Sequence, residues 1–338
     1  MARIVFVTQQ VDPGHPALAA TVPKLRALAA RADEVVVLAD RALPDVLPSN
    51  CRVRSFSARS RSGRGFRFER ALAAELARRP KPAAVVAHMC PIYAVLAAPL
   101  VRPFGVRVLL WYTQWRTNPL LERAVRAADV VLTVDEHSFP FASPKVRVIG
   151  HGIDVGRFRC TEPAGGTRLR LLALGRYAEV KEIPTLLRAA AEVGAELELH
   201  GSCETDGDRA HLPELKRLAA EVGARAEFGD AVTPAAVPEL LARADALVSA
   251  TRGGADKAVL EAGAACVPAF AAAPAFAALL PAELRFDGAA ELAARLRAFA
   301  ALSGDERTRL GRALRERVAA EHSVETWAER VLEAAGLA

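Results

Sequence analysis

The sequence predicts two doubly wound α/β domains in series. A chain of 338 residues exceeds the length at which a single hydrophobic core usually keeps growing, and 52% apolar residues supply material for two cores. Short β-rich runs alternate with helical patterns, which implies a parallel sheet covered on both faces. The alternation then restarts after residue 168, beyond a stretch with linker chemistry.

In the first half the runs Ile4–Thr8, Glu34–Leu38, Ala83–His88, Val106–Trp111 and Val130–Val134 read as strands by their Val, Ile and Leu content. In the second half the corresponding runs are Leu169–Leu174, Glu196–His200, Ala224–Phe228, Ala246–Ser249 and Val267–Phe270. Between the halves, Gly150-His151-Gly152-Ile153-Asp154 gives way to Thr161-Glu162-Pro163-Ala164-Gly165-Gly166-Thr167. The expected organisation is an N-terminal domain over 1–150, a linker over 151–167, a second domain over 168–320 and a terminal helix over 321–338. His151 falls in the hinge.

Composition narrows the function classes. Charged residues make up 25% of the chain, as in ordinary globular proteins, and no run of 18 uncharged apolar residues occurs. Cys51, Cys90, Cys160, Cys203 and Cys266 are scattered, odd in number and without C-x-x-C spacing, so zinc and a disulfide framework are not expected. A reduced cytoplasmic setting fits that pattern. The net charge of +6 resides in residues 52–70, where seven arginines face only Glu69. A solvated arginine-rich loop explains Arg52–Arg70 most simply; contact with an anionic membrane surface, an anionic acceptor or RNA stays open. RNA is disfavoured because the segment lacks a binding module. G-x-G-x-x-G, P-loop and G-x-S-x-G patterns do not occur, which argues against a dehydrogenase, an NTPase or an α/β-hydrolase.

In open α/β sheets ligands sit beyond the C-terminal ends of the strands. Two such places draw attention: Gly175-Arg176-Tyr177-Ala178-Glu179-Val180-Lys181 after the run ending at Leu174, and Ala250-Thr251-Arg252-Gly253-Gly254-Ala255-Asp256-Lys257 after Ser249. Each puts a lysine at the start of a helix, where the macrodipole disfavours a cation. A bound phosphate resolves the conflict, because helix N-terminal amides, Arg and Lys neutralise a diphosphate. The plainer alternatives are that Lys181 pairs with Glu179 or Glu182 and that Asp256 is only a helix cap. Asp206-Gly207-Asp208 has the form of a metal-binding D-x-D but precedes a helical pattern and reads as loop and cap, so no metal is assigned.

Three stretches resemble the retaining GT-B glycosyltransferases of the family 4 type. They are Leu174-Gly175-Arg176 with Lys181, Leu260-Glu261-Ala262-Gly263 followed by Pro268, and Gly152-Ile153-Asp154 with Phe158. Trp111-Tyr112-Thr113 and His322-Ser323-Val324-Glu325-Thr326-Trp327-Ala328 are also similar. The resemblance implies a GT-B architecture, two Rossmann-like domains facing each other across a cleft, with the terminal helix crossing back to the first. It implies a metal-independent, cofactor-free hexosyltransferase that takes a nucleotide-sugar donor and retains anomeric configuration. Arg176 and Lys181 would grip the donor diphosphate and Glu261 the ribose hydroxyls. Gly175, Gly201, Gly229, Gly253, Gly254, Asp256 and Lys257 complete the expected donor-binding set. Arg176, Lys181, Gln114 and His88 are the candidate catalytic residues, His88 as an acceptor-side group for which an ordinary hydrogen-bonded histidine is the plainer alternative.

The chain also departs from the pattern. Gly253 stands eight positions before Glu261, where the family commonly has a second glutamate, and Gln114 stands where it places a histidine. The Gly pair after the first strand is reduced to Gly14 and then Ala19-Ala20. The acceptor is left as a glycan, a lipid-linked sugar or a natural product, and a catalytically degenerate nucleotide-sugar-binding protein is the alternative.

Overall fold

A computed structural model describes residues 2–15, 18–160 and 166–337. The chain divides into two compact units, Met1–Gly152 with Glu321–Ala338, and Ile153–Ala320. Of the stretch expected as linker, Thr161–Gly165 lie outside the described residues. Ile153 and Phe158 are buried in the core of the second unit.

The first unit is built on a parallel seven-stranded sheet of order β3-β2-β1-β4-β5-β6-β7. Its strands are β1 (Arg3–Val11), β2 (Glu34–Ala42), β3 (Cys51–Ser55), β4 (Ala84–His88), β5 (Arg107–Trp111), β6 (Val130–Thr133) and β7 (Val146–Val148). Its helices are α1 (Thr21–Ala29), α2 (Arg61–Ala77), α3 (Pro91–Val101) and α4 (Pro119–Ala127). The pleat sends Val5 and Val7 into one core with Phe56, Phe68, Tyr93 and Ala97. Phe6, between them, turns to the opposite face, where its ring lies 6.4 Å from that of Trp327.

The second unit holds a parallel five-stranded sheet of order β10-β9-β8-β11-β12. Its strands are β8 (Arg170–Leu174), β9 (Glu196–Gly201), β10 (Arg225–Asp230), β11 (Ala246–Ser249) and β12 (Ala269–Ala271). The helices α5 (Ile183–Val193), α6 (Asp206–Glu221), α7 (Val237–Arg243), α8 (Lys257–Ala264) and α9 (Ala289–Ala300) follow in chain order. The apolar face of α5, with Ile183, Leu186, Leu187, Ala189 and Ala190, is buried, and Gly194 ends the helix in the left-handed conformation.

The long α10 (Gly304–His322) leads to α11 (Val324–Ala335), which belongs to the first unit. Ser323 caps α11 by accepting a hydrogen bond from the Thr326 N–H. Trp327 is fully buried, edge-on to Trp111 at 5.8 Å, with the Lys24 ammonium 4.7 Å from the Trp111 ring and 5.3 Å from the Trp327 ring. Arg31 pairs with Glu329 at 2.9 Å, and Arg107 donates to the Ala334 carbonyl at 3.0 Å.

Two features correct the sequence reading. The segment 52–70 is not a solvated loop: β3 and the first turns of α2 occupy most of it, with Ser60 as the cap of α2. Its first two arginines are drawn inward by Glu75, a fully buried carboxylate. Arg52 and Arg54 reach Glu75 Oε1 at 2.9 and 3.0 Å, and the buried Arg3 pairs with Glu75 and, at 2.7 Å, with Glu34. Burial works to raise the Glu75 pKa, but the hydrogen bond and charge of Arg52 and the charges of Arg54 and Arg3 hold it below the ordinary value. The second correction concerns cysteine: Cys160 and Cys266 form a disulfide, with Cα atoms 4.9 Å apart across 106 residues of sequence. Such a pairing is set by how the second unit packs, which spacing along the chain does not reveal.

Glu75→Gln should cost about 3–5 kcal/mol, because it removes the shared carboxylate of Arg52 and Arg54 and one of the two that neutralise the buried Arg3. Urea unfolding measures this, and a loss under 1 kcal/mol would show that the arginines find other partners. A pH effect should accompany it. Burial pushes the His322 pKa down to about 4, opposed by Asp135 and aided by Arg330. Between the ordinary value of 6.5 and about 4 the unfolded chain binds a proton that the native state refuses. Native stability should therefore fall by on the order of 3 kcal/mol as pH drops through that window. His322→Gln should flatten the dependence; an unchanged slope would assign it elsewhere.

Candidate functional site

The site is assembled from two loops that leave neighbouring strands of the second sheet. The β8 loop carries Gly175, Arg176, Tyr177 and Lys181; the β11 loop carries Ala250, Thr251 and Asp256. Together with Ser249 and His200 they line a small cavity beyond the C-terminal ends of β8, β9 and β11.

At its centre lies Asp256. Its Oδ2 accepts from Lys181 Nζ at 2.8 Å, Ser249 Oγ at 2.9 Å and Thr251 Oγ1 at 3.2 Å, while Oδ1 caps α8 by accepting from the Ala258 N–H at 3.3 Å. Asp256 is thus both a helix cap and the partner of Lys181, a role the sequence reading offered to Glu179 or Glu182. Burial disfavours its charge, but the Lys181 ammonium and the hydrogen bonds from Lys181, Ser249 and Ala258 override that and keep the pKa below the ordinary 3.8. The pair's contribution is therefore present above that value and lost as pH falls through the lower native pKa. A lysine ammonium has three N–H donors, so one bond to Asp256 fixes Lys181 and leaves donors for a ligand.

Backbone geometry fits this arrangement. Gly175 has φ of 144°, and a Cβ there would lie 2.8 Å from Lys181 Cε. A Cβ on Gly201 would stand 2.1 Å from the Gly175 carbonyl oxygen, so the β8 and β9 loops approach closely only because both positions lack side chains. Glu182, directly after Lys181, holds the left-handed conformation at φ 50°, a strained position for a non-glycine residue. Tyr177 stays buried beneath the loop, its hydroxyl donating to the carbonyls of Leu199 at 3.1 Å and Gly229 at 2.5 Å. Burial, with Cys203 and Asp230 nearby, pushes its pKa up to about 12, so the hydroxyl remains a donor.

Arg176 lines the cavity while 39% exposed, and pairs loosely with Asp208 at 3.4 Å and Glu204 at 3.7 Å. Pairs so exposed contribute at most about 1 kcal/mol, so a dianionic ligand can compete for this arginine. Asp208 is committed to the start of α6: it forms a capping box with Thr205, which explains the D-x-D segment.

The remaining expected residues are placed as follows. Gly253 and Gly254 lie in the β11–α8 loop, and Lys257 opens α8. Glu261, one turn further, receives the Lys257 ammonium at 2.9 Å; neither lines the small cavity. His88 and Gln114 belong to the first unit. His88 is buried between the rings of Phe6 and Trp111, at 5.2 and 6.3 Å, and is held neutral by burial and the nearby Lys24 charge, which push its pKa well down. Gln114 is exposed and accepts from the Tyr112 hydroxyl at 3.1 Å. Ser249 and Thr251 border and open the stretch singled out in the sequence but were given no role there; hydroxyls at a strand end a few residues before an acidic helix cap were the available signal.

With this geometry in hand, comparison with known proteins identifies the fold. Residues 181–333 match the family described as glycosyl transferase-like. No curated protein matches the sequence. Among solved structures, Alr3699/HepE from Anabaena, in complex with UDP and glucose, is similar at a TM-score of 0.77 and 15% identity over 98% of this chain and 99% of that one. A glycosyltransferase from Rickettsia africae is similar at 0.77 and 13% identity, over 99% and 97% of the two chains. AviGT4, a glycosyltransferase involved in avilamycin A biosynthesis, gives 0.68 at 16% identity over 99% and 97%. The chain has the GT-B glycosyltransferase fold.

Asp256→Asn can keep the cap on the Ala258 N–H, but it puts an NH2 group where Oδ2 accepts from Lys181, Ser249 and Thr251 and removes the charge opposite Lys181. It should lower stability at neutral pH by about 2–4 kcal/mol, against about 1 kcal/mol for Ser249→Ala. Equal losses in the two variants, measured by urea unfolding, would mean that charge pairing is not the source.

Proposed function

We propose that the protein is a glycosyltransferase that moves a hexosyl group from a nucleotide-diphosphate sugar to an acceptor hydroxyl. The observation that carries this reading is the pairing of Arg176 and the pre-oriented Lys181 at one cavity beyond the ends of β8 and β11. Breaking the bond between the anomeric carbon and the diphosphate oxygen leaves negative charge on the departing phosphate, and two cations, the held Lys181 and the more mobile Arg176, stabilise it more in the transition state than in the ground state. That neutralisation calls for no metal or other cofactor. The amides of Gly253 to Lys257 add donors at the α8 N-terminus, and Glu261 offers its carboxylate to the ribose hydroxyls.

The UDP and UDP-glucose complexes of the Anabaena neighbour support a UDP-sugar as the first donor to try. The similarity of the Leu174–Lys181 and Leu260–Pro268 stretches to retaining enzymes supports retention of anomeric configuration. The Cys160–Cys266 disulfide removes the cysteine argument for a reduced cytoplasm, while Arg59 and Arg70, both exposed, are available to an anionic membrane surface.

Thermal unfolding with UDP-, GDP-, dTDP- and ADP-sugars tests the reading. A true donor at about 100 times its Kd should stabilise by about 2.7 kcal/mol, and stabilisation by none of the four would overturn it. With the donor so identified, Arg176→Ala and Lys181→Ala should each slow its transfer, or its hydrolysis by water, by on the order of 10²–10³; Arg176→Ala should leave stability unchanged, whereas Lys181→Ala also lowers it by stripping the counter-charge from Asp256, so its rate is compared under conditions where the variant is folded. Near-native rates in both would remove the proposed roles. Tight donor binding without transfer or hydrolysis would instead favour a binding protein.

A further inference from the structure

The first unit contains a groove of about 970 Å³ that the donor site does not use. In the order β3-β2-β1-β4, the chain winds outward from β1 and then returns to β1's other side with β4. Loops leaving β1 and β4 therefore diverge, and the crevice between them is where an open sheet accommodates ligands. Gln9 and Gln10 at the end of β1, and Met89 just after β4, line it. Met89 is one of the few non-glycine residues in the left-handed conformation, at φ 56°, the kind of strain that collects at binding sites.

The groove is chemically two-sided. Arg41, Arg61 and Arg64 line one part, Ile92, Leu96 and Leu120 another. Arg64 is neutralised by Asp40 at 3.1 Å. Arg41 and Arg61 are exposed and form no ion pair among the described residues. Ile92 and Leu120 remain 39% and 37% exposed, although apolar. Two uncompensated guanidinium groups beside one crevice favour an anion, and their planar forks match the oxygens of a phosphate dianion better than those of a single carboxylate. The volume suits a ligand of drug-like size.

We propose that this groove binds a phosphate ester with an apolar stem, and that such a molecule is the acceptor. The phosphate lies on Arg41 and Arg61, the stem covers Ile92, Leu96 and Leu120, and the Gln9 and Gln10 amides hydrogen-bond the hydroxyl-bearing part. The word acceptor rests on the glycosyltransferase reading, but binding in the groove does not, so it is measured without any nucleotide sugar.

Titration calorimetry with octyl phosphate, octyl glucoside and inorganic phosphate is the test. Octyl phosphate should bind at least tenfold more tightly than either of the others, and R41Q/R61Q should weaken it at least tenfold while leaving thermal stability and donor-induced stabilisation unchanged. Ile92→Ser should weaken octyl phosphate without affecting inorganic phosphate. Equal affinity for octyl phosphate and octyl glucoside, or octyl phosphate binding undiminished in R41Q/R61Q, would overturn the proposal. A donor panel that fails while octyl phosphate binds as expected would remove the transferase reading and leave the groove standing.

Discussion

The second unit's site depends on one buried carboxylate. Asp256 is the cap of α8 and the common acceptor for Lys181, Ser249 and Thr251, so a single side chain joins the β8 loop, the end of β11 and the start of a helix. Burying that charge is tolerable only because four donors converge on it. The consequence for function is positional: a lysine on a flexible four-carbon stem is held at one place before a ligand arrives, which reduces the entropy lost on binding. The close approach of Gly175 and Gly201 belongs to the same arrangement, since a side chain at either position would displace the loop that carries Lys181.

Much of this was legible in the sequence, and the reasons are specific. Runs such as Ile4–Thr8 and Val130–Val134 are apolar on both faces, as buried parallel strands must be, so their existence followed from composition alone. Gly175, Arg176 and Lys181 could be picked out because they follow such a run at the place where open sheets bind ligands. Strands β3 and β7 could not. Cys-Arg-Val-Arg-Ser and Val-Arg-Val carry arginines at edge positions, and β3 is identifiable only once Glu75, far along the chain, is known to receive Arg52 and Arg54. The same holds for the Lys181–Asp256 pair and the Cys160–Cys266 bond, each a contact between residues 75 or more positions apart.

The arginine-rich segment shows how net charge misleads when read along the chain. Arg52 and Arg54 are structural, turned onto Glu75, and Arg64 is answered by Asp40. Only part of the excess is left to attract a partner. Arg41, outside the segment singled out by charge counting, belongs with Arg61 because β2 and α2 end and begin at the same groove. Electrostatic function is a property of the surface the fold creates, and a linear run of like charge is a poor proxy for it.

The two sheets place their candidate sites by one topological rule. In the first, the order of winding reverses between β1 and β4; in the second, between β8 and β11. At each reversal neighbouring loops diverge, the crevice opens, and backbone amides and side chains at the strand ends become available to a ligand. Each crevice also borders a non-glycine residue in the left-handed conformation, Met89 in one and Glu182 in the other. The side chains then differentiate the two places. The reversal in the second sheet is narrow, with its lysine pinned by a carboxylate, and the proposed donor role assigns it a diphosphate. That in the first is wide, part arginine and part aliphatic, and suits a larger amphiphilic molecule. A duplicated architecture thus opens two candidate crevices by the same backbone logic, and they differ in the residues at a few strand ends.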